Sequence, residues 1–218
     1  MDNSLSLLRR GLDALRLTVP DGGPERLTAW SAELLKWNEK VNLTAITRPE
    51  EVVDKHLLDS LAVVPEVAGA RHLLDLGAGA GLPGVPLLVA LPDLQATLVD
   101  AVAKKVAFIK VGGVKAGVAA RLKAVHARAE GSPGTEGLPV VDLVIARAFM
   151  DVGRFTRLAV KYLSPGGRVV AMVGQVPAAS ELDDAASAAG LEVGSVRRFT
   201  LPLSGDPRGV VVFHVKHP

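Results

Sequence analysis

LLDLGAGAGLPGVPLL, residues 73–88, decides the fold. An apolar run ends at Asp75. Gly77, Gly79, Gly81 and Gly84 follow, and a helix-like stretch begins. Gly79, Gly81 and Gly84 satisfy G-x-G-x-x-G, the pattern that cradles a dinucleotide pyrophosphate. Three features argue against a phosphate. Asp75 places a negative charge at the strand end. Pro83 and Pro86 sit at the start of the helix, and each lacks the N–H that an anion seeks there. A cationic ligand without phosphate fits better, and S-adenosylmethionine is one. Its amino-acid end calls for a nearby acid, and bare glycines permit close backbone approach.

The stretch opens a repeating pattern. Short apolar runs at 71–76, 95–100, 121–126, 141–146, 167–173, 191–198 and 209–216 read as strands. Helices are expected at 84–91, 102–116, 152–163 and 177–189. This alternation predicts a parallel, doubly wound sheet. Only PLSGDPRG separates the last two strands, so they should pair antiparallel. Gly112 and Gly113 interrupt the helix after residue 102, at a cost of about 1 kcal/mol each relative to Ala. EGSPGTEGLP, residues 130–139, has the composition of a surface loop.

Residues 1–65 read differently. Leu27, Trp30, Leu34, Trp37 and Val41 form one helical stripe, with both tryptophans as core anchors. Thr47 to Glu50 reads as a capping box opening a further helix. The expected organisation is a helical segment at 1–65, packed on a domain at 66–218.

Composition narrows the function. The chain has 218 residues, 49% hydrophobic, only 4% aromatic and no cysteine. That excludes disulfides, thiolate metal sites and a cysteine nucleophile; no metal site is expected. MDNSLSLLRRG is too polar for a signal peptide, and no apolar run reaches membrane-spanning length, so a cytoplasmic protein without a membrane partner is expected. A net charge of +2 permits an anionic partner without demanding one.

Asp100 closes the second strand, QATLVD, where an acid can accept both ribose hydroxyls. NAD enzymes use the same device, so Asp100 alone does not discriminate. The acceptor follows by elimination. Amine methylation favours an Asn/Asp-Pro-Pro-aromatic motif after the fourth strand, but ARAFM stands there. Carbon-5 pyrimidine methylation needs a cysteine. A ring nitrogen or hydroxyl remains, and no general base stands out.

LLDLGAGAGLPGVPL, WNEKVNLTAI, HLLDSL, VDAVAKKVAFIK, ARAE and VIARAF together resemble the glucose-inhibited division protein B family. The resemblance covers about residues 30–175. It implies a class I SAM-dependent methyltransferase, with a Rossmann-like seven-stranded sheet and an N-terminal helical cap. It implies methylation of guanine N7 in 16S rRNA, within the small ribosomal subunit or its assembly intermediate. Nothing in the sequence demands a dimer, so a monomer is expected. It also implies site residues. Gly77, Gly79 and Leu82 would line the methionine and ribose end, and Asp100 with Ala101 the ribose. Ala129 and Glu130 would meet the adenine. Arg147 would sit at the mouth of the site among the cofactor-binding residues; apart from the resemblance, its planar fork at the end of the fourth strand suits it to position the substrate. Ala78 and Ala146 depart from the hydroxyl residues usual in the family.

Other readings stay open. Arg147 could instead pair with Asp151. His56 and Asp59, one turn apart, read as a helix-surface pair. His214, Lys216 and His217 read as a basic tail on a solvated edge strand. Lys104, Lys105 and Lys110 read as exposed, with phosphate contact as an alternative. The rival functions are a methyltransferase acting on a small molecule or protein, and a non-catalytic SAM-binding assembly factor.

Overall fold

The structure is a computed structural model that describes residues 3–148 and 150–216. His217 and Phe149, both named above, lie outside them. The chain opens with α1 (Ser4–Leu15) and α2 (Gly23–Asn38). Next comes one winding stretch: α3 (Pro49–Val52), a π turn (Val53–Leu58), α4 (Asp59–Leu61) and α5 (Val64–Val67). Then strands and helices alternate: β1 (His72–Leu76), α6 (Gly84–Ala90), β2 (Gln95–Asp100), α7 (Ala103–Lys115) and β3 (Leu122–His126). They continue as α8 (Pro133–Glu136), β4 (Val141–Arg147), α9 (Val152–Ala159), β5 (Leu163–Val173) and α10 (Ala179–Ala188). The hairpin β6 (Leu191–Thr200) and β7 (Pro207–Val215) ends the fold.

The seven strands form one sheet in the order β3-β2-β1-β4-β5-β7-β6. The first five are parallel, and β7 runs antiparallel to both β5 and β6. The basic C-terminal strand is therefore interior, not an edge; the edge on that side is β6. The short turn returns the chain at once, and β7 fills the place beside β5. The exposed His214 imidazole lies over Gly194 of β6, where an added Cβ would come within 2.1 Å of it.

Strand residues divide strictly by face. Leu73, Leu98, Leu143, Ile145 and Val170 point to one core, which the N-terminal helices share through Leu8, Leu27, Trp30 and Leu34. Leu74, Val99, Val144, Val169 and Phe213 point to the other, under α9 and α10, which supply Phe155 and Leu182. This is the period-2 alternation of a sheet buried on both faces.

Three local expectations change. The helix at 49 starts with Pro49 in its first turn behind Arg48, with no side-chain cap, so Thr47 and Glu50 form no capping box. Proline's fixed φ suits that first turn without help. The 130–139 loop contains α8. Glu136 fastens it by accepting from the N–H groups of Glu130 and Ser132 and from the Tyr162 hydroxyl. Finally, α7 runs unbroken through Gly112 and Gly113. A Cβ on Gly112 would sit 2.7 Å from the Trp30 indole nitrogen. The missing side chain lets α7 close on buried Trp30.

Candidate active site

The glycine loop crosses the carboxyl edge of the sheet after β1. Gly77 and Gly79 have φ of 71° and 58°, the left-handed region that L side chains avoid. Gly84 serves packing instead: a Cβ there would meet Leu98 at 2.8 Å.

Asp75 lies under this loop and is fully buried. Its Oδ2 accepts from the Gly84 N–H at 2.9 Å, and its Oδ1 has no hydrogen-bond partner among the described residues. Burial pushes its pKa up to about 7; the Asp100 charge adds to this, while the Gly84 N–H and Arg147 oppose it. A charge-driven repulsion of phosphate by Asp75 is therefore weaker than the sequence suggests. The linkage sign follows. The folded carboxyl keeps its proton up to about 7, whereas the unfolded chain releases it near 3.8. This group makes stability fall as pH rises through that window. Asp75→Asn should flatten the fall, read as denaturation midpoints between pH 4 and 7.

Asp100, at the end of β2, is buried and accepts from the Gly79 N–H at 2.9 Å and the Val102 N–H at 2.8 Å. It borders a cleft of about 210 Å³ with Gly77, Val99, Ala101, Ala127, Arg128 and Ala129. Four sequence-named residues thus meet: Gly77, Asp100, Ala101 and Ala129. Gly79 joins them through its bond to Asp100. Glu130 is exposed beside the cleft without lining it, and Leu82 is buried in the core.

A second cleft of about 430 Å³ opens on the other side of β1, over the ends of β4 and β5. Arg147 and Ala148 line it with Met172, Val173 and Gly174, together with Ile46, Lys55, His56, Asp59 and Arg208. Arg147 borders this cleft, not the first. Its Nη1 donates to the Lys55 carbonyl at 2.9 Å and to Asp59 Oδ2 at 3.2 Å. Its Nη2 meets His56 Nδ1 at 3.4 Å.

The acid partner of Arg147 is thus Asp59, not Asp151. Asp151 caps α9 by accepting from the Arg154 N–H at 2.9 Å. His56 and Asp59 are no surface pair: only 6% and 5% of each is exposed. Asp59 also meets Arg208 Nε at 3.3 Å through Oδ1. Burial raises the Asp59 pKa against the opposing pull of both guanidiniums. His56 Nε2 lies 2.8 Å from Thr44 Oγ1, and burial, with the Arg147 charge, lowers its pKa to about 4. It is neutral at physiological pH.

Sequence reasoning missed Arg208 and Thr44. Arg208 was within reach of it. Antiparallel pairing brings the start of β7 to the end of β5, with Gly209 opposite Val173, so Arg208 had to stand at the carboxyl edge. Nothing local marks Thr44. Lys104 and Lys110 are exposed, as read from sequence, and Lys105 is half-buried.

Comparison with known proteins bears on the family and the fold. The family model described as rRNA small subunit methyltransferase G matches residues 24–202. A ribosomal RNA small subunit methyltransferase G of Myxococcus xanthus (strain DK1622) is 56% identical over 216 residues, covering 98% of this chain and 99% of its own. Its counterpart in Anaeromyxobacter dehalogenans (strain 2CP-C) is 47% identical over 203 residues, covering 93% and 94%. Among solved structures, an O-methyltransferase from Bacillus cereus in complex with SAH matches with a TM-score of 0.60 at 17% identity, over 86% of this chain and 90% of that one. TrmN from Thermus thermophilus matches at 0.57 and 18%, over 73% and 48%. At such identity these two speak for the fold alone, that of a class I methyltransferase. The family match over most of the chain and the near full-length relatives decide the rest: this chain belongs to the rRNA small subunit methyltransferase G family and is a methyltransferase.

Proposed function

We propose that the chain transfers the methyl group of S-adenosylmethionine to N7 of a guanine in small-subunit (16S) rRNA. The observation that carries this reading is the pair of clefts flanking the β1 loop. Asp75 beneath feels the charge of Asp100 on one side and of Arg147 on the other.

The first cleft suits the donor. Both Asp100 oxygens hold one backbone N–H each, and each keeps a lone pair for a ribose hydroxyl. Gly77 offers bare backbone, and Ala101, Ala127 and Ala129 offer flat apolar walls. Asp75 lies beneath the glycine loop, and its Oδ1, without a hydrogen-bond partner among the described residues, is a buried polar atom left for the amino-acid end of such a ligand. When bound, S-adenosylmethionine supplies an electrophilic methyl on a sulfonium.

The second cleft suits the acceptor. Guanine N7 carries a free lone pair and no proton, so the site needs no base. Arg147 and His56 agree with that, since one is always cationic and the other, its pKa lowered to about 4 by burial and the Arg147 charge, is a poor proton acceptor. Arg147 Nη2 has no carboxylate or carbonyl partner among the described residues and is the part of the fork left for guanine O6 or a phosphate. Positioning then supplies the catalysis. The substrate particle is the small subunit or its assembly intermediate, the acting unit is a monomer, and the place of action is the cytoplasm.

The direct test is transfer of radiolabelled methyl to small subunits from cells lacking the gene. The product should break at the modified guanine after reduction and aniline. Label on a ribose or an exocyclic amine would refute the acceptor assignment, and no label at all would favour a small-molecule or protein acceptor, or a non-catalytic role. For the donor, S-adenosylhomocysteine should raise the melting temperature and NAD should not. Gly77→Val fills the cleft at a positive φ and should abolish that rise.

A further inference from the structure

The acceptor cleft has two open neighbours at the carboxyl edge, and their charges are opposite. One cleft, of about 620 Å³, lies between the end of β5 and the pair α9 and α10. It carries three carboxylates, Asp151, Glu181 and Asp184, against one guanidinium, Arg157. The other, of about 500 Å³, lies between the segment after β5 and the β6–β7 hairpin. It shares Gly174 and Arg208 with the acceptor cleft and has no carboxylate in its lining.

Its chemistry suits a polyanion with flat apolar groups. Val176 and Pro207 give an apolar floor, while Phe199 packs toward the other face of the sheet, where the Arg197 guanidinium lies 4.7 Å from its ring centroid. Val176 reaches over β7 because Gly209 has no side chain; a Cβ there would lie 2.2 Å from Val176 Cγ2. Arg198 and Gln175 stand exposed at the rim, and their side chains make no hydrogen bond or ion pair with any described residue. Arg198 is thus an uncommitted cation. Arg208 is not, because Asp59 and Asp206 hold it. It forms the sill between the two clefts.

We infer that the RNA strand flanking the target guanine leaves the acceptor cleft over Gly174 and Arg208 and lies in this second cleft. A phosphate sits beside Arg198. The acidic cleft beside α9 and α10, which shares Gln175 with this one, is not on the path of the strand. This path rests on an RNA acceptor being methylated beside Arg147.

Small subunits from cells lacking the gene serve as the probe. Arg198→Ala should raise KM for the subunit roughly three- to tenfold at low salt. It should lower the salt slope of binding by about one. The kcat at saturation and the Kd for S-adenosylhomocysteine should not move. Arg198→Glu should do more. Glu181→Gln should leave KM unchanged. An unchanged KM in both Arg198 variants, with wild-type transfer intact, overturns the path alone. A lower KM in Glu181→Gln assigns the strand to the other cleft. Absence of wild-type transfer to the subunit removes the underlying reading and the path with it.

Discussion

Arg147→Ala is expected to slow methyl transfer roughly ten- to a hundredfold while the Kd for S-adenosylhomocysteine stays put. The magnitude is that of one charge-assisted hydrogen bond to bound substrate, about 1.5–3 kcal/mol. The separation of effects follows from the two clefts, since Arg147 lines the acceptor side and not the donor side. Stability should change little, because Asp59 keeps Arg208 at 3.3 Å. Arg147→Lys should rescue poorly. One ammonium cannot bond the Lys55 carbonyl and Asp59 and still present a second arm to the base. Equal losses in turnover and cofactor affinity would move Arg147 to the donor side.

The second large effect belongs to Asp59. It alone stands between the guanidiniums of Arg147 and Arg208, and it is 5% exposed. Asp59→Asn leaves two cations facing each other, partly desolvated. That should cost about 2–4 kcal/mol, a melting temperature lower by about 5–12 °C. Asp59 does not for that reason make the cluster a net source of stability. Taking three charges out of water costs about as much as their attraction returns. The combined replacement Asp59→Leu, Arg147→Met and Arg208→Leu should therefore recover most of the lost melting temperature and stay inactive. Recovered activity in that variant would show that the ionic cluster has no part in transfer.

Most of the sheet was legible because its signals are local. Strand residues alternate by face, the connections are short, and glycine at Gly77 and Gly79 announces a turn that other residues avoid. The gathering of Gly77, Asp100 and Ala129 in one cleft, the proposed donor site, was legible for the same reason: they sit at strand ends of a parallel sheet. The acceptor cleft was not. Asp59 is defined by partners on β4 and β7, and a pair spaced one turn apart on a helix looks identical whether it faces water or two arginines. Arg121 is another case. It donates to the carbonyls of Leu88, Leu91 and Leu94 at the end of α6, a tie that no spacing reveals. Gly112 misled in the opposite sense, since a residue costly to an isolated helix is demanded by Trp30.

The two clefts also mature at different moments. Residues 77–129 suffice to line the donor cleft. The acceptor cleft gathers the π turn, the ends of β4 and β5, and Arg208, ten residues before the last. During synthesis, then, the donor half can be complete while the acceptor half still lacks a wall. A chain cut short before Arg208 would lack that wall of the proposed acceptor cleft while keeping every residue that lines the proposed donor cleft. The pairing of β7 beside β5 is thus the step on which seating a base would depend, and loss of it would disarm that side alone.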